Sequence, residues 1–290
     1  MGTQKRHLDR MHDRSRLSAV MICGAGHSGS TLLGMILGSH TDAFYMGEGG
    51  KARYLGDEKK PLRKRVCKIC GEDCPVWAGF EWNGVSPLYA QVAAHVGQSV
   101  IIDSTKDERW IESRAEEVRE GGGTPILLML SRDGRAVVNS RLRKYPDRDP
   151  GEQIQAWIDK MATAQALFDG FDGPKMRVRY EDLAENSAAT IKALCRLIGL
   201  EYQPGMADFA SVEHHVLGGN SGTQFIAARS RFDDPDEAFV SLGSRTRDYY
   251  ENHSGGIELD LRWKSELKPE HLAMFEQMAA TANAPYQWGD

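Results

Sequence analysis

Residues 20–37 decide the fold of this chain, and they read VMICGAGHSGSTLLGMIL. An apolar run over residues 18–23 passes through glycines and hydroxyls into a second apolar run with helical spacing. The first run indicates a buried parallel strand and the second a helix. Backbone N–H groups in such a turn point outward at the helix N-terminus, where the helix dipole favours an anion. The turn therefore predicts a cradle for a phosphate or a sulfonate.

The turn departs from the P-loop of nucleotide hydrolases, which has the pattern G-x-x-x-x-G-K-[ST]. Gly24 and Gly29 occupy the two glycine positions, but Ser30 and Thr31 follow without a lysine. Such a turn can hold an anion and is poorly equipped for ordinary ATP hydrolysis. The structural alternative is a strand-to-helix turn that binds nothing.

Further apolar runs predict strands at residues 99–103, 125–131 and 175–180. Helical spacing occurs at residues 30–39, 105–120, 134–144, 151–168 and 185–199. The alternation predicts an α/β fold, a P-loop-like parallel sheet flanked by helices, with loop insertions. Ligands of such sheets bind at the carboxyl ends of the strands. The residues found there are Gly24 to Thr31, Asp103 to Lys106, Arg132, and Tyr180 to Asp182.

With 290 residues, the chain is expected to form an N-terminal arm over residues 1–16 and a single domain over residues 17–290. Two segments interrupt the pattern. Residues 49–87 are rich in Gly, Lys and Cys, and we expect an insertion over the site. Residues 203–256 predict loops and short helices, a flexible segment on the substrate side.

Composition excludes several classes of protein. A formal net charge of −5 argues against general nucleic-acid binding. No apolar run reaches the roughly 18 residues of a membrane span, and the charged N-terminus lacks the apolar core of a signal peptide. The five cysteines are an odd number without a paired framework, which favours the reducing cytoplasm.

The spacing of Cys67, Cys70 and Cys74 is compatible with three ligands of a structural zinc ion. No fourth ligand is visible nearby, so we expect a packed or redox-active cysteine loop and no metal. His214 and His215 are expected to be polar residues satisfied within their own loop.

A second anion site is predicted after the strand at residues 125–131. Arg132 follows that strand, and Ser140 and Lys144 lie on one face of the next helix. Arginine offers a fork of donors and lysine a point charge, a common way to hold a phosphate. For Arg141 and Arg143 a solvated basic face is expected. Two anion sites on one sheet indicate a ligand with phosphates at both ends of a nucleoside.

In these motifs the chain resembles the sulfotransferases that use 3′-phosphoadenosine 5′-phosphosulfate (PAPS). His27-Ser28-Gly29-Ser30-Thr31 is similar to the family's [KR]-S-G-[ST]-[ST] loop, and Arg132 with Ser140 to its arginine and serine eight residues apart. Residues 179–183 (RYEDL) and 260–263 (DLRW) extend the likeness. The cysteine motif and Asp103-Ser104-Thr105-Lys106 resemble a bacterial branch related to tyrosylprotein sulfotransferases. The R-K-G-x-x-G-x-W-K segment of the cytosolic phenol and steroid enzymes is absent, which leaves open what completes the 3′-phosphate and adenine site.

The resemblance implies PAPS as co-substrate, no required metal, and specific roles. Glu48, in a Gly-Glu pair after the first helix, would be the catalytic base, and Lys106 would stabilise the transferring group. His27, where the family often has Lys or Arg, would donate to the bridging oxygen when protonated or hydrogen-bond the sulfonate. The alternatives are a surface carboxylate for Glu48 and a salt-bridged helix lysine for Lys106. The implied cofactor-binding residues are Gly26, His27, Ser28, Gly29, Ser30, Thr31, Leu32, Arg132, Ser140 and Lys144.

The resemblance therefore predicts in-line transfer of a sulfuryl group to an acceptor hydroxyl of a glycan, a glycolipid, a small-molecule alcohol or a tyrosine. Two other functions stay open from the residues alone. One is a P-loop-type kinase of a small metabolite, for which the missing lysine is adverse. The other is a non-catalytic anion-binding module, in which Glu48 and Lys106 would have no role.

Overall fold

Five parallel strands form a single sheet in the computed structural model, which describes residues 16–232 and 238–289. The strands are β1 (Ser18–Gly24), β2 (Ala43–Tyr45), β3 (Val100–Asp103), β4 (Thr124–Ser131) and β5 (Lys175–Arg179). Their order across the sheet is β2-β3-β1-β4-β5. The predicted α/β fold is confirmed. The predicted arm, apart from Arg16, lies outside the described residues.

The central strand β1 is buried along its whole length, because helices cover both faces of the sheet. It pairs with β3 on one side, Val20 opposite Ile102, and with β4 on the other, Val20 opposite Ile126. All four predicted strands are confirmed. Strand β2 was missed because its three residues are too short to show a periodic pattern.

Twelve α-helices surround the sheet in the described part of the chain. The five predicted helices are confirmed to within three residues at each end. The helices are α1 (Ser30–Gly38), α2 (Leu62–Arg65), α3 (Leu88–Val96), α4 (Glu108–Glu120), α5 (Gly134–Lys144), α6 (Pro150–Gly170), α7 (Tyr180–Glu185), α8 (Ser187–Ile198), α9 (Ser221–Arg229), α10 (Ser244–Glu251), α11 (Trp263–Glu266) and α12 (Pro269–Asn283). Within the described ranges, no helix combines the length and the apolar character that a membrane crossing requires.

Aspartates begin three of these helices. Asp107, Asp133 and Asp149 each accept a hydrogen bond from a main-chain N–H in the first turn of α4, α5 and α6. In α6, Pro150 follows its cap, a position where the missing N–H of proline costs nothing. The caps at Asp107 and Asp133 fix where the chain leaves the carboxyl ends of β3 and β4, and so they position the residues at those strand ends.

The segment 49–87 consists of a 3-10 helix (Gly49–Tyr54), the short α2 and turns. It packs against residues 214–220, since Lys68 N–H donates to the Val216 carbonyl at 2.8 Å and Trp77 Nε1 to the His215 carbonyl at 2.9 Å. The segment 203–256 holds short helices, as predicted, and also contributes to the cavity described below.

Helix α1 packs closely against β2 at Gly34. A Cβ added at Gly34 would lie 2.3 Å from the Tyr45 ring, which is buried and held by a 2.8 Å hydrogen bond to Ser104 Oγ. We expect Gly34→Ala to lower the free energy of unfolding by about 1–3 kcal/mol, because an overpacked core must shift. Urea unfolding measures the change.

Gly170→Ala is the matched control for this substitution. Gly170 ends α6, and a Cβ there meets nothing within 4 Å. Alanine is the better helix former, so this variant should be as stable as the parent chain or slightly more stable. Equal stability of the two variants would contradict the contact between α1 and β2.

Candidate active site

The carboxyl ends of β1, β3 and β4 open into one cavity of about 310 Å³. The cavity brings together every predicted site residue except Ser28. The residues that line it from the predicted set are Gly26, His27, Gly29, Ser30, Thr31, Leu32, Glu48, Lys106, Arg132, Ser140 and Lys144. None of the residues of 49–87 lines this cavity.

The turn between β1 and α1 has the geometry of an anion cradle. Gly29 has a φ of 95°, and a Cβ there would lie 2.8 Å from the Tyr180 ring, so only glycine fits. His27 also has a left-handed φ, 71°, a conformation that concentrates at functional sites when a non-glycine residue adopts it. The first N–H groups of α1 have no acceptor within the helix and face this turn.

Ser28 is part of the turn that forms the cradle. Its Oγ is buried and has no hydrogen-bond partner within the described part of the chain. A buried hydroxyl without a partner costs free energy, and such groups in native proteins usually await a ligand or a water. The turn therefore fits an anion with several acceptor oxygens.

His27 lies among positive charges. Its Nδ1 is 2.9 Å from Ser140 Oγ on α5. Burial, followed by the charges of Lys144, Arg141 and Arg132, lowers the pKa of His27 to about 3. The imidazole is therefore neutral near pH 7 in the ligand-free protein, and the predicted role as a protonated donor requires a bound anion that raises its pKa.

Arg132 is held by Asp260 and Tyr180 at the end of β4. Its Nη2 lies 3.1 Å from a carboxylate oxygen of Asp260 and donates to the Asp260 carbonyl at 2.8 Å. Its guanidinium carbon lies 4.3 Å from the centre of the Tyr180 ring. Burial raises the pKa of Asp260, but Arg262 and Arg132 lower it more, so that this pKa lies well below its usual range. Arg132 is thus fixed in the cavity wall by a carboxylate of this chain.

Helix α5 presents Ser140 and Lys144 to the cavity on one face, as their spacing predicts. Arg143, which the sequence assigned to a solvated face, also lines the cavity and pairs with Glu266 at 3.1 Å. Arg141 donates to Gln153 Oε1 at 2.9 Å and does not line it. Both of these arginines are partly buried rather than fully exposed.

Glu48 and Lys106 enter the cavity on separate loops. Burial raises the pKa of Glu48, but Lys51, at 2.7 Å, and Lys106 lower it more, so the net pKa lies below the ordinary value. The pKa of Lys106 is lowered by burial, which Glu48 and Asp103 partly offset, and its Nζ donates to the Ser104 carbonyl at 3.0 Å. The carboxylate form of Glu48 near pH 7 can accept a proton.

The buried carboxylate of Asp103 connects the two loops. One of its oxygens accepts from two main-chain N–H groups and the other from two side chains. The donors are Gly49 N at 2.9 Å, Thr105 N at 2.6 Å, Tyr89 Oη at 2.8 Å and Trp110 Nε1 at 2.9 Å. Gly49 follows Glu48 and Thr105 precedes Lys106, so a single carboxylate fixes both predicted catalytic residues.

Several cavity residues were missed by the sequence analysis. Asn220 N–H donates to Thr31 Oγ1 at 2.8 Å, which attaches the 214–220 loop to the cradle. Arg262 lies 3.6 Å from the centre of the Tyr249 ring. The motif at residues 260–263 was a signal for Arg262, whereas the aromatic pair Tyr249 and Tyr250 in α10 carries no signal of its own. The missed lining residues include Phe209, Thr223, Tyr249, Tyr250, His253 and Glu258.

The two histidines of the 214–220 loop have different environments. His214 Nε2 lies 2.8 Å from the Phe209 carbonyl, and burial lowers the pKa of this histidine to about 4, as expected for a satisfied loop residue. The Nδ1 of His215 lies 3.3 Å from the sulfur of Cys70. No pattern in the sequence indicated that neighbour.

Solved sulfotransferase structures share this architecture. A sulfotransferase domain from the Synechococcus PCC 7002 olefin synthase superimposes with a TM-score of 0.54 at 16% identity, covering 93% of this chain and 97% of that one. One from the curacin biosynthetic pathway gives 0.53 at 16% identity, covering 94% and 100%. Mouse sulfotransferase SULT7A1 complexed with PAP gives 0.50 at 11% identity, covering 97% and 93%.

The chain has the sulfotransferase fold. No protein-family model matches the sequence, and no curated protein matches it. At these identities the structural likeness concerns the fold alone.

The environment of His27 predicts its titration. Folding lowers its pKa from 6.5 to about 3, so its neutral form stabilises the native state above pH 6.5, and this contribution is lost as the pH falls towards 3. NMR of the ligand-free protein should show a His27 ring that does not titrate between about pH 8 and 5.

His27→Asn assigns the resonance, because asparagine tolerates the left-handed backbone. A midpoint near 6.5 for the signal that this variant removes would show that the ring is not buried among the cations. Addition of a bisphosphate nucleotide should move the midpoint upward, since a bound anion favours the imidazolium.

Proposed function

We propose that this protein transfers a sulfuryl group from PAPS to an acceptor hydroxyl. One observation carries the proposal: a single cavity holds the α1 cradle, the basic residues at the end of β4 and on α5, and Glu48 with Lys106. A ligand with an anion at each end would engage both basic regions at once.

In this proposal the cradle binds the 5′-phosphosulfate. The first N–H groups of α1 supply donors for its oxygens. Arg132, Ser140 and Lys144 bind the 3′-phosphate, which competes with Asp260 for the guanidinium. PAP, the ligand of the mouse neighbour, is 3′-phosphoadenosine 5′-phosphate, the nucleotide product of such a transfer.

The chemical step requires a base, charge stabilisation and alignment. The acceptor oxygen forms a bond to sulfur while the bond from sulfur to the 5′-phosphate oxygen breaks. Glu48, which its lowered pKa keeps as a carboxylate near neutral pH, takes the acceptor proton. Lys106 and the α1 N–H groups stabilise the negative charge that grows on the leaving oxygen. His27 hydrogen-bonds the transferring group.

The arrangement of Asp103 disfavours the kinase alternative. A carboxylate has about four lone-pair positions, and those of Asp103 face Gly49, Thr105, Tyr89 and Trp110. The carboxylate at the end of β3 is therefore not free to hold Mg²⁺ for ATP. The loop lysine that would reach the terminal phosphates is also absent.

The acceptor belongs to the classes that the sequence left open: a glycan, a glycolipid, a small-molecule alcohol or a peptide tyrosine. Their shared chemistry is a hydroxyl that Glu48 can reach. Mass spectrometry of metabolite and peptide mixtures incubated with the protein and PAPS, scanned for sulfonated products, identifies the acceptor.

Nucleotide preference tests the two anion sites. PAP should raise the melting temperature, because a ligand that binds only the native state adds about 2.7 kcal/mol at a hundredfold excess over Kd. ATP, which lacks a 3′-phosphate, should stabilise the protein much less. Differential scanning fluorimetry compares the two, and equal stabilisation would argue for a kinase.

Arg132→Gln should weaken PAP binding by roughly ten- to a hundredfold, because a hydrogen bond to a charged group contributes about 1.5–3 kcal/mol. Arg177→Gln is the control, since Arg177 on β5 forms an exposed pair with Asp169 of α6, away from the cavity. Calorimetric titration gives both dissociation constants. An unchanged Kd in the Arg132 variant would show that Arg132 does not bind the 3′-phosphate.

Glu48→Gln should lower kcat by about 100-fold or more while PAP affinity stays close to that of the parent chain. Glutamine keeps the shape of the side chain and cannot take the proton. Glu116→Gln is the control, because Glu116 is an exposed helix residue paired with Arg119. Turnover with the identified acceptor measures the effect, and a stable Glu48 variant with the parent kcat would remove Glu48 from the chemistry.

A further inference from the structure

Three thiols and one imidazole converge outside the cavity. The ligand atoms of Cys67, Cys70, Cys74 and His215 all lie within 4.8 Å of one another. His215 Nδ1 lies 3.3 Å from the Cys70 sulfur and 3.4 Å from the Cys74 sulfur. His215 is 141 residues beyond Cys74, so tertiary structure brings this donor to the cysteines.

The cluster has the dimensions of a tetrahedral zinc site. Zinc bonds of about 2.3 Å to sulfur and about 2.0–2.1 Å to nitrogen place a sulfur and a nitrogen ligand roughly 3.5 Å apart. The two measured distances from His215 match this edge. Cysteine and histidine are also the donors that select zinc among divalent ions. We propose that Cys67, Cys70, Cys74 and His215 bind one zinc ion.

The site is structural because it is closed. Cys67 and Cys74 are fully buried, and the four side chains complete a tetrahedral set, which leaves no position for water or substrate. None of the four lines the cavity. The ion therefore takes no part in sulfuryl transfer.

The surroundings of the cluster support metal ligation. The other ring nitrogen of His215, Nε2, lies 3.1 Å from a carboxylate oxygen of Glu213. A carboxylate in this position orients a histidine ligand and fixes the nitrogen that faces the metal. On the sulfur side, Trp77 N–H donates to Cys74 Sγ at 3.4 Å and Arg231 Nη1 donates to Cys70 Sγ at 3.0 Å. These donors stabilise thiolates.

A disulfide would explain less of this arrangement. It would join two of the three sulfurs, leave the third without a partner, and give the imidazole no reason to approach two sulfurs at once. Four donors that share one centre are accounted for by a cation at that centre.

The zinc ion would hold the 214–220 loop in place beside the cavity. Its four ligands connect the cysteine segment to this loop through His215. Two residues further, Leu217 N–H donates to the Met46 carbonyl at 2.9 Å, directly before the Gly47-Glu48 turn. Asn220 N–H then donates to Thr31 in the cradle. Loss of the zinc ion should therefore increase the mobility of both Glu48 and the cradle.

Metal analysis of the full chain tests the proposal. The protein, expressed with zinc and dialysed against a weak chelator, should retain about one zinc ion per chain by mass spectrometry of elements. Exchange of zinc for Co²⁺ should produce the visible absorption of a tetrahedral thiolate site. Alkylation of the native protein should spare Cys67, Cys70 and Cys74 until a strong chelator removes the metal.

Substitutions separate the ligands from other cysteines. His215→Ala and Cys74→Ser should lose most of the zinc, whereas His215→Cys should retain it, because it restores a fourth ligand. Cys195→Ser is the control, since the Cys195 thiol is buried beside Met206 and away from the cluster. It should retain the parent zinc content.

Parent protein that holds no stoichiometric zinc, that holds iron in its place, or that carries a disulfide among the three cysteines would overturn the proposal. Retention of the metal by both His215→Ala and Cys74→Ser would also overturn it. The measurements on the parent chain decide the question even if a variant fails to fold.

Discussion

The buried carboxylate of Asp103 is the interaction on which the cavity depends. Parallel strands bring their carboxyl ends to one edge of the sheet, but this leaves the following loops unplaced. Asp103 ends β3 and accepts hydrogen bonds from Gly49 and Thr105, the main-chain neighbours of Glu48 and Lys106. Side-chain donors from α3 and α4 complete its shell. The separation between proposed base and proposed cation is thus set by a group that touches neither substrate nor cofactor.

Electrostatic balance is the second constraint on the cavity. Its walls hold several cations, and each of three is paired with a carboxylate of the chain: Arg132 with Asp260, Arg143 with Glu266, and Arg262 again with Asp260. His27 has no carboxylate partner of its own in the described ranges, and burial together with the charges of Lys144, Arg141, Arg132 and Lys106 depresses its pKa. An anion entering the cradle would relieve the same repulsion. Anion binding and proton uptake at His27 are therefore coupled.

The sequence predicted the parts of the fold that depend on local pattern. Strands β1, β3, β4 and β5 are apolar runs long enough to recognise, and the helices between them have clear periodicity and, for α4, α5 and α6, aspartate caps. Strand β2 has three residues and could not be recognised. For the site, the rule that ligands gather at strand ends selected residues that the structure brings into one cavity.

What the sequence missed shares a physical cause. Asp260 reaches Arg132, Tyr249 and Tyr250 reach the cavity, and His215 reaches the cysteines through contacts between segments far apart in the chain. Neither spacing nor residue type records such contacts. The fourth donor of the cysteine cluster could not be found near the cysteines, because it lies on a loop that only the completed fold places there.

The segment 49–87, expected to lie over the site, lines none of the cavity and packs against the loop that contacts Glu48. Its cysteines and Trp77 contact the 214–220 loop. Gly218 of this loop lies against the Glu48 side chain. A Cβ at Gly218 would lie 2.8 Å from Glu48 Oε2 and 2.7 Å from Lys51 Nζ, so this loop has no room to shift towards the base. The position of Glu48 is consequently limited by Asp103 on one side and by the Gly218 backbone on the other. A proton acceptor confined in this way needs little reorganisation when an acceptor hydroxyl arrives, which is the physical advantage of a preorganised site.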